Sequence, residues 1–258
     1  MTTTGLIAER MALQLYTVRD AVQADILGTL RQVAAMGYRG VEFAGFGGVS
    51  AAQVREVLDG EGLTAVACHV GVPALEDDLE GTLAGVREVG AGYAVCPWVD
   101  PAVAHDADRW TAFAARLETW ARAAEARGLR LAYHNHVFEF EARHGGEYAL
   151  DLLFQSAPTV QMELDAAWAH VGGVDPAAYL RQYAGRVPLL HVKDVTVRGD
   201  ERETVELGQG GVDLPALLAA ASETGVEWLI AEQDHCQRDP LESARANAEW
   251  LRGALGRT

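Results

Sequence analysis

Short apolar runs alternate with longer stretches of helical period along the whole chain, and the pattern repeats eight times. The runs predict strands over 11–16, 38–43, 63–70, 93–99, from Leu129, and over 159–165, 187–192 and 226–232. Between and after them the period predicts helices over 22–36, 50–59, 75–89, 106–127 and 147–156, from near Pro176, and over 213–224 and 240–254. Start signals support several of these: Ser50 as an N-cap, Asp175-Pro176, Asp213 with Pro215, and Asp239-Pro240. Gly37 and Gly128 close two helices. Strict β/α alternation implies parallel strands joined by right-handed crossovers, and eight units close naturally into a single (β/α)8 barrel over 1–258. In the first strand, alternation puts Gln14 and Tyr16 on one face. AAWAHVGGVDP (166–176) reads as a loop, and VTVRGDERETVELGQGG (195–211) as a small hairpin over the site.

The polar residues within these runs are not scattered. LRLAYHNHVFEF ends in His134, Asn135 and His136, with Glu139 close behind. Side chains alternate faces along a strand, so His134 shares a face with His136, Glu163 with Asp165, His191 with Lys193, and Glu232 with Asp234. Such barrels carry their reactive groups at the C-terminal strand ends, where these residues fall. Asp165, His191 and Glu232, with His134 from the strand before, would close an arc of four ligands around one cation. Mixed carboxylate and imidazole donors suit Mn²⁺ first, then Co²⁺ or Zn²⁺, and Mg²⁺ less well.

Other strand-end residues divide between chemistry and support. His136 is placed to contact substrate, and Glu42 and His69 would line the opposite wall and bind hydroxyls. Glu163 lies deeper, either as a buried carboxylate paired with Lys193 or a histidine, or in a direct chemical role. Lys193 either stabilises an enolate oxygen or neutralises that carboxylate. Trp98 and Trp168 read first as packing residues, with a plane for a sugar ring as the functional alternative. His105, His144 and His235 fall in polar loops, at the surface or rim. GFGG and GQGG lack the context of a phosphate-binding loop.

Charge narrows the ligand. With 37 acidic and 21 basic residues the formal charge is −16, a field that repels phosphate backbones and anionic membranes. Neither nucleic acid nor membrane is therefore expected as a partner, and a neutral small molecule or a metal cation is favoured. The start MTTTGLIAER lacks the layout of a signal peptide. Cys68, Cys96 and Cys236 are odd in number and far apart, so they read as reduced thiols of a cytoplasmic protein. The oligomeric state stays open, a homo-oligomer included.

LQLYTVRD, GYRGVEFAGFGG, LAYHNHVFEF, ELDAAW, RVPLLHVKDV, ELGQGGVD and EWLIAEQD follow one another in this order over nearly the whole chain. Together they resemble the sugar phosphate isomerase/epimerase family with its xylose-isomerase-like TIM barrel, in a YHNH subgroup. The resemblance implies a metal held by a strand-five glutamate, then by Asp165, His191 and Glu232. The glutamate position falls on His134, so proton exchange between two carboxylates gives way to a histidine as ligand or base. The implied activity is metal-dependent isomerisation or epimerisation of a sugar by proton removal next to a carbonyl, through an enediolate. Glu232 is the first choice as acid/base, with His134 or Glu163 as its partner and Lys193 supporting the oxyanion. A lyase or dehydratase acting on a keto sugar, 3-keto glycoside or inosose is the alternative. An AP endonuclease using His69 in a multi-zinc site fits the acidic surface poorly, and a non-catalytic sugar-binding barrel would not need Asp165, His191 and Glu232.

Overall fold

The computed structural model describes residues 10–199 and 201–256. Eight strands, numbered β1 to β8 here, form the barrel: Met11–Gln14, Gly40–Phe43, Thr64–His69, Tyr93–Cys96, Arg130–His134, Gln161–Asp165, Leu189–Val192 and Trp228–Ala231. Each pairs in parallel with its sequence neighbours, and β1 pairs with β8 through Met11–Leu229, Ala12–Ile230 and Leu13–Ala231, which closes the (β/α)8 TIM barrel.

Outward-facing strand residues such as Leu13, Leu131, Tyr133, Met162, Leu164, Leu190 and Val192 join the buried layer between strands and helices. Inward-facing residues form a separate apolar plug of Ala12, Val66, Ala67, Tyr93, Val95, Ala132, Leu189 and Ile230. Along four of the strands the next inward position is polar: Ala12 leads to Gln14, Ala132 to His134, Leu189 to His191 and Ile230 to Glu232. The barrel is therefore dry at its N-terminal end and ionic at its C-terminal end. Gly40 belongs to the plug, because a Cβ there would stand 2.6 Å from Val66 Cγ2 and 2.8 Å from the Trp228 ring. A register shift between Val41 and Glu42 follows it on β2.

The predicted caps hold at Ser50, which makes a reciprocal capping box with Gln53, and at Asp175, Asp213 and Asp239. Several local expectations change. β1 stops at Gln14, whose side chain accepts the Tyr16 N–H at 3.0 Å and caps a 3-10 turn over Leu15–Val18. Tyr16 consequently leaves the inward face. Ala166–Val171 is a helix and not a loop, because the Asp165 carboxylate caps it through the Trp168 N–H at 2.9 Å. The helix expected over 75–89 is two, Val72–Asp77 and Leu79–Val89, divided at Asp78, which caps the second. The expected hairpin forms from Asp194–Arg198 and Glu201–Val205, and none of its described residues lines the cavity at the barrel mouth.

Candidate active site

At the C-terminal mouth a cavity of about 420 Å³ is lined by Tyr16, Ala44, His69, Pro97, Trp98, His134, His136, Glu232 and Asp234. Beneath and around it the polar strand ends form two tiers. In the deeper tier Gln14 Nε2 donates to Glu42 Oε2 at 2.8 Å, and His69 Nε2 lies 2.9 Å from Glu163 Oε2 and 3.4 Å from Glu42 Oε1. Gln14, Glu42 and Glu163 are fully buried. In the upper tier the Lys193 ammonium sits 2.8 Å from Asp165 Oδ2, 2.7 Å from Glu232 Oε2 and 3.0 Å from Asp234 Oδ2. These contacts are close in distance but lack hydrogen-bond directionality.

Two histidines join the tiers. His191 spans them, with Nδ1 2.9 Å from Glu232 Oε2 and Nε2 2.7 Å from Glu42 Oε2. His134 Nδ1 lies 3.1 Å from Glu163 Oε2, and its Nε2 is 3.8 Å from Asp165 Oδ2. Because Glu163 is held ionised, Nδ1 of His134 carries the hydrogen and donates, which leaves Nε2 as a lone-pair donor facing the upper tier.

The charges follow from this packing. Burial opposes the charge of His191, His69 and Lys193, but the surrounding carboxylates override it. His191 and Lys193 are held well above their ordinary values, and Glu42 and Glu163 raise His69 to about 10. Burial likewise works against Glu163 and Glu232. His191 and His69 nevertheless hold Glu163 well below the carboxylate range, and Lys193 and His191 do the same for Glu232. Asp165 is raised, burial outweighing Lys193 and His191. For His134 burial wins over the Glu163 hydrogen bond, and the imidazole is held neutral, well below its ordinary value. Burial and then Lys193 push His136 down to about 4.

His134, Asp165, His191 and Glu232 each offer one donor atom, all within 4.8 Å of one another, and all four side chains are buried. Asp165 Oδ2 is buried without a hydrogen bond among the described residues. A mixed nitrogen and oxygen donor set converging from four strand ends fits a divalent cation. His69, His134, Glu163 and His191 make a second such group one tier down, sharing two histidines with the first.

The remaining sequence candidates separate. His69 and His136 line the cavity. Glu42 lies under it and touches Gln14 and His191. Trp168 stacks on His136 at 6.2 Å and holds its ring 5.5 Å from Lys193 Nζ, without lining the cavity. Lys193 pairs with Asp165, Glu232 and Asp234 and not with Glu163, which is matched by the three histidines. His105 and His235 are exposed, while His144 is half-buried and lies 2.8 Å from Ala104 O through Nε2.

Some supporting residues were not assigned roles from sequence. Asn135 accepts the Asp165 N–H at 2.9 Å and donates to the Asp165 carbonyl at 3.3 Å, clamping that residue's backbone. Glu139 accepts from Tyr133 Oη and from the His136 N–H, and burial pushes its carboxyl up to about 8. Gln14 had a readable signal, since it shares the inward parity of Ala12. Asn135 had none, because outward parity marks it as packing. The GQGG loop wraps the chain's own Asp194: Gly208 and Gly210 donate to Oδ2 at 3.0 and 2.8 Å, and Val212 to Oδ1 at 3.1 Å.

A closed parallel barrel with carboxylates and imidazoles converging at its C-terminal mouth defines a class of barrels built for small-molecule chemistry. Residues 30–254 match the family model described as xylose isomerase-like TIM barrel, and the chain belongs to that family. A 2-epi-5-epi-valiolone 7-phosphate 2-epimerase from an Actinoplanes species is 29% identical over 87% of this chain and 88% of its own. The crystal structure of a sugar phosphate isomerase/epimerase from Parabacteroides distasonis superposes with a TM-score of 0.79 at 20% identity, over 93% of this chain and 97% of that one. IolI, crystallised with a bound zinc atom, superposes with a TM-score of 0.69 at 15% identity, over 96% and 95% of the two chains. No helix among the described residues is long and apolar enough to cross a membrane.

Proposed function

We propose that this protein is a metal-dependent isomerase or epimerase of a sugar-like substrate, removing a proton from the carbon next to a carbonyl. The observation that carries the reading is the convergence of His134, Asp165, His191 and Glu232 at the base of the mouth cavity. These four would hold the cation, with Mn²⁺, Co²⁺ and Zn²⁺ the best matches to the donor set. When bound, a divalent cation supplies Lewis-acid polarisation of a carbonyl.

The chain's own groups supply the rest. Glu232 reaches the cavity wall and is kept ionised by Lys193 and His191, so it is the first choice to take the proton. His134 is the neutral partner, its Nδ1–H held by Glu163 and its Nε2 free to accept or return a proton, or to ligate. Lys193 brings positive charge to the side of the site where a substrate oxygen gains negative charge. Glu163, Glu42 and His69 act from below by fixing the two bridging imidazoles. His136, neutral and stacked against Phe138 and Trp168, offers a hydrogen bond to a hydroxyl.

The test is solvent exchange. With a divalent cation present, a keto-sugar substrate incubated in D₂O acquires deuterium next to its carbonyl. Glu232→Gln lowers that rate by about 10²–10⁴-fold. Asp165→Ala and His191→Ala abolish stoichiometric metal binding by elemental analysis, and retention of metal by both would remove the ligand assignment. A substrate deuterated at that carbon whose C–D bond stays intact through turnover would remove the mechanism. Release of water or an aglycone would redirect the same proton removal to elimination.

A further inference from the structure

The mouth of the cavity differs in character from its floor. Among the described residues three large hydrophobic side chains are exposed, and two of them, Tyr16 at 43% and Trp98 at 50%, line this one cavity. They come from separate elements, the turn after β1 and the segment after β4. The Arg19 guanidinium covers one face of Tyr16, 4.4 Å from the ring centroid, and is tied down by the Tyr16 and Asp234 carbonyls at 2.9 and 3.0 Å. At about 420 Å³ the cavity falls in the range that encloses a drug-sized ligand.

The same cavity has no lining lysine or arginine, while Glu232 and Asp234 both face it. The nearest ammonium, Lys193, is fully buried and shared among three carboxylates. The glycine-rich loop best shaped to cradle an anion already holds the Asp194 carboxylate. Above the proposed cation site a phosphate would meet Asp234 and no lining lysine or arginine, and the lining His69 is already shared by Glu42 and Glu163.

We propose that the substrate is an uncharged glycoside or glycoside-like conjugate: its reacting ring sits on the polar floor and its second ring lies against Tyr16 and Trp98. The claim rests on the sugar chemistry proposed for this site but concerns binding, and it separates this chain from enzymes that select phosphorylated sugars. Aromatic rings stack on one another and on the apolar faces of sugars, and each such contact at a half-exposed site contributes modestly, so the effect is read as a ratio.

The experiment uses the metal-loaded protein and a panel of methyl pyranosides, phenyl pyranosides and methyl pyranoside 6-phosphates, in gluco, galacto and manno configuration and both anomers. These lack a free carbonyl, so calorimetry reads binding without turnover. At least one phenyl glycoside binds about five- to tenfold tighter than its methyl counterpart, and the 6-phosphates bind at least tenfold weaker than their parents. Trp98→Ala abolishes the phenyl preference and leaves methyl glycoside affinity within twofold, while Trp98→Phe keeps most of the preference. Three outcomes overturn the proposal: no phenyl glycoside outbinds its methyl partner, a phosphate ester binds as tightly as its parent, or Trp98→Ala weakens both classes alike. If proton exchange fails while this pattern holds, the chemistry falls and the binding inference stands. If exchange occurs without the pattern, the chemistry stands and the binding inference falls.

Discussion

Replacing Asn135 isolates what the residue between the two histidines does. Its side chain is fully buried and makes two hydrogen bonds to the backbone of Asp165, one to the N–H and one to the carbonyl. Asn135→Ala removes both and leaves two buried backbone groups without those partners. With about 1 kcal/mol for each net bond and about 1–3 kcal/mol for the N–H left unsatisfied, the expected loss is about 3–5 kcal/mol; the Asp165 carbonyl, at the helix N-cap, keeps its intrahelical bond. Asn135→Asp sharpens the test. It keeps an acceptor for the N–H but sets a carboxylate oxygen against the Asp165 carbonyl, so it is expected to be at least as harmful. The assay is urea unfolding in chelator, followed by titration with Mn²⁺ or Zn²⁺. Both variants shift the midpoint down at unchanged slope, and both bind metal at least tenfold more weakly because Asp165 is no longer fixed. A stability change below about 1 kcal/mol with unaltered metal affinity would refute the clamp.

Lys193→Met removes the ammonium that Asp165, Glu232 and Asp234 share, and should cost about 3–5 kcal/mol in chelator; a neutral result by urea unfolding would mean those carboxylates are protonated. His136 gives a pH signature. Its folded value of about 4 lies below the unfolded 6.5, so the unfolded chain takes up the proton first and stability falls as pH drops from about 6.5 to about 4. The full loss is about 3 kcal/mol, and His136→Asn should flatten that limb of the stability profile; an unchanged limb would assign it to other groups.

The β/α alternation was sufficient to read the barrel, because closure of eight parallel units follows from local periodicity and handedness. Strand parity was sufficient to bring His134, Asp165, His191 and Glu232 to one place. Parity failed where a strand ended early. Gln14 caps its own chain, so Tyr16 turns out of the barrel and up to the rim. It failed again at Asp165, whose carboxylate starts a helix where Gly172-Gly173 read as loop. Partner choice was legible only in part: of the two partners expected for Glu163, a histidine or Lys193, the structure has the histidines. Lys193 stands one inward step above His191, and only the three-dimensional tiers show that this carries it past Glu163 to Asp165, Glu232 and Asp234. The occupancy of GQGG by Asp194 has the same character, since it depends on a chain reversal through the hairpin.

The two-tier ionic lattice also bears on how the chain comes together. His191 meets Glu42 across 149 residues of sequence, and His69 meets Glu163 across 94. The second and third strands thus each contribute to a buried ion pair whose other member is made much later. A nascent barrel stopped after β4 holds Glu42 and His69 as a single pair, 3.4 Å apart, without the Glu163 and His191 that complete the buried lattice. The lattice therefore rewards complete closure over partial closure, adding a long-range, late-forming term to an architecture whose contacts between successive units are otherwise local. Assembly of the reaction centre and cooperativity of the whole barrel are on this view the same event.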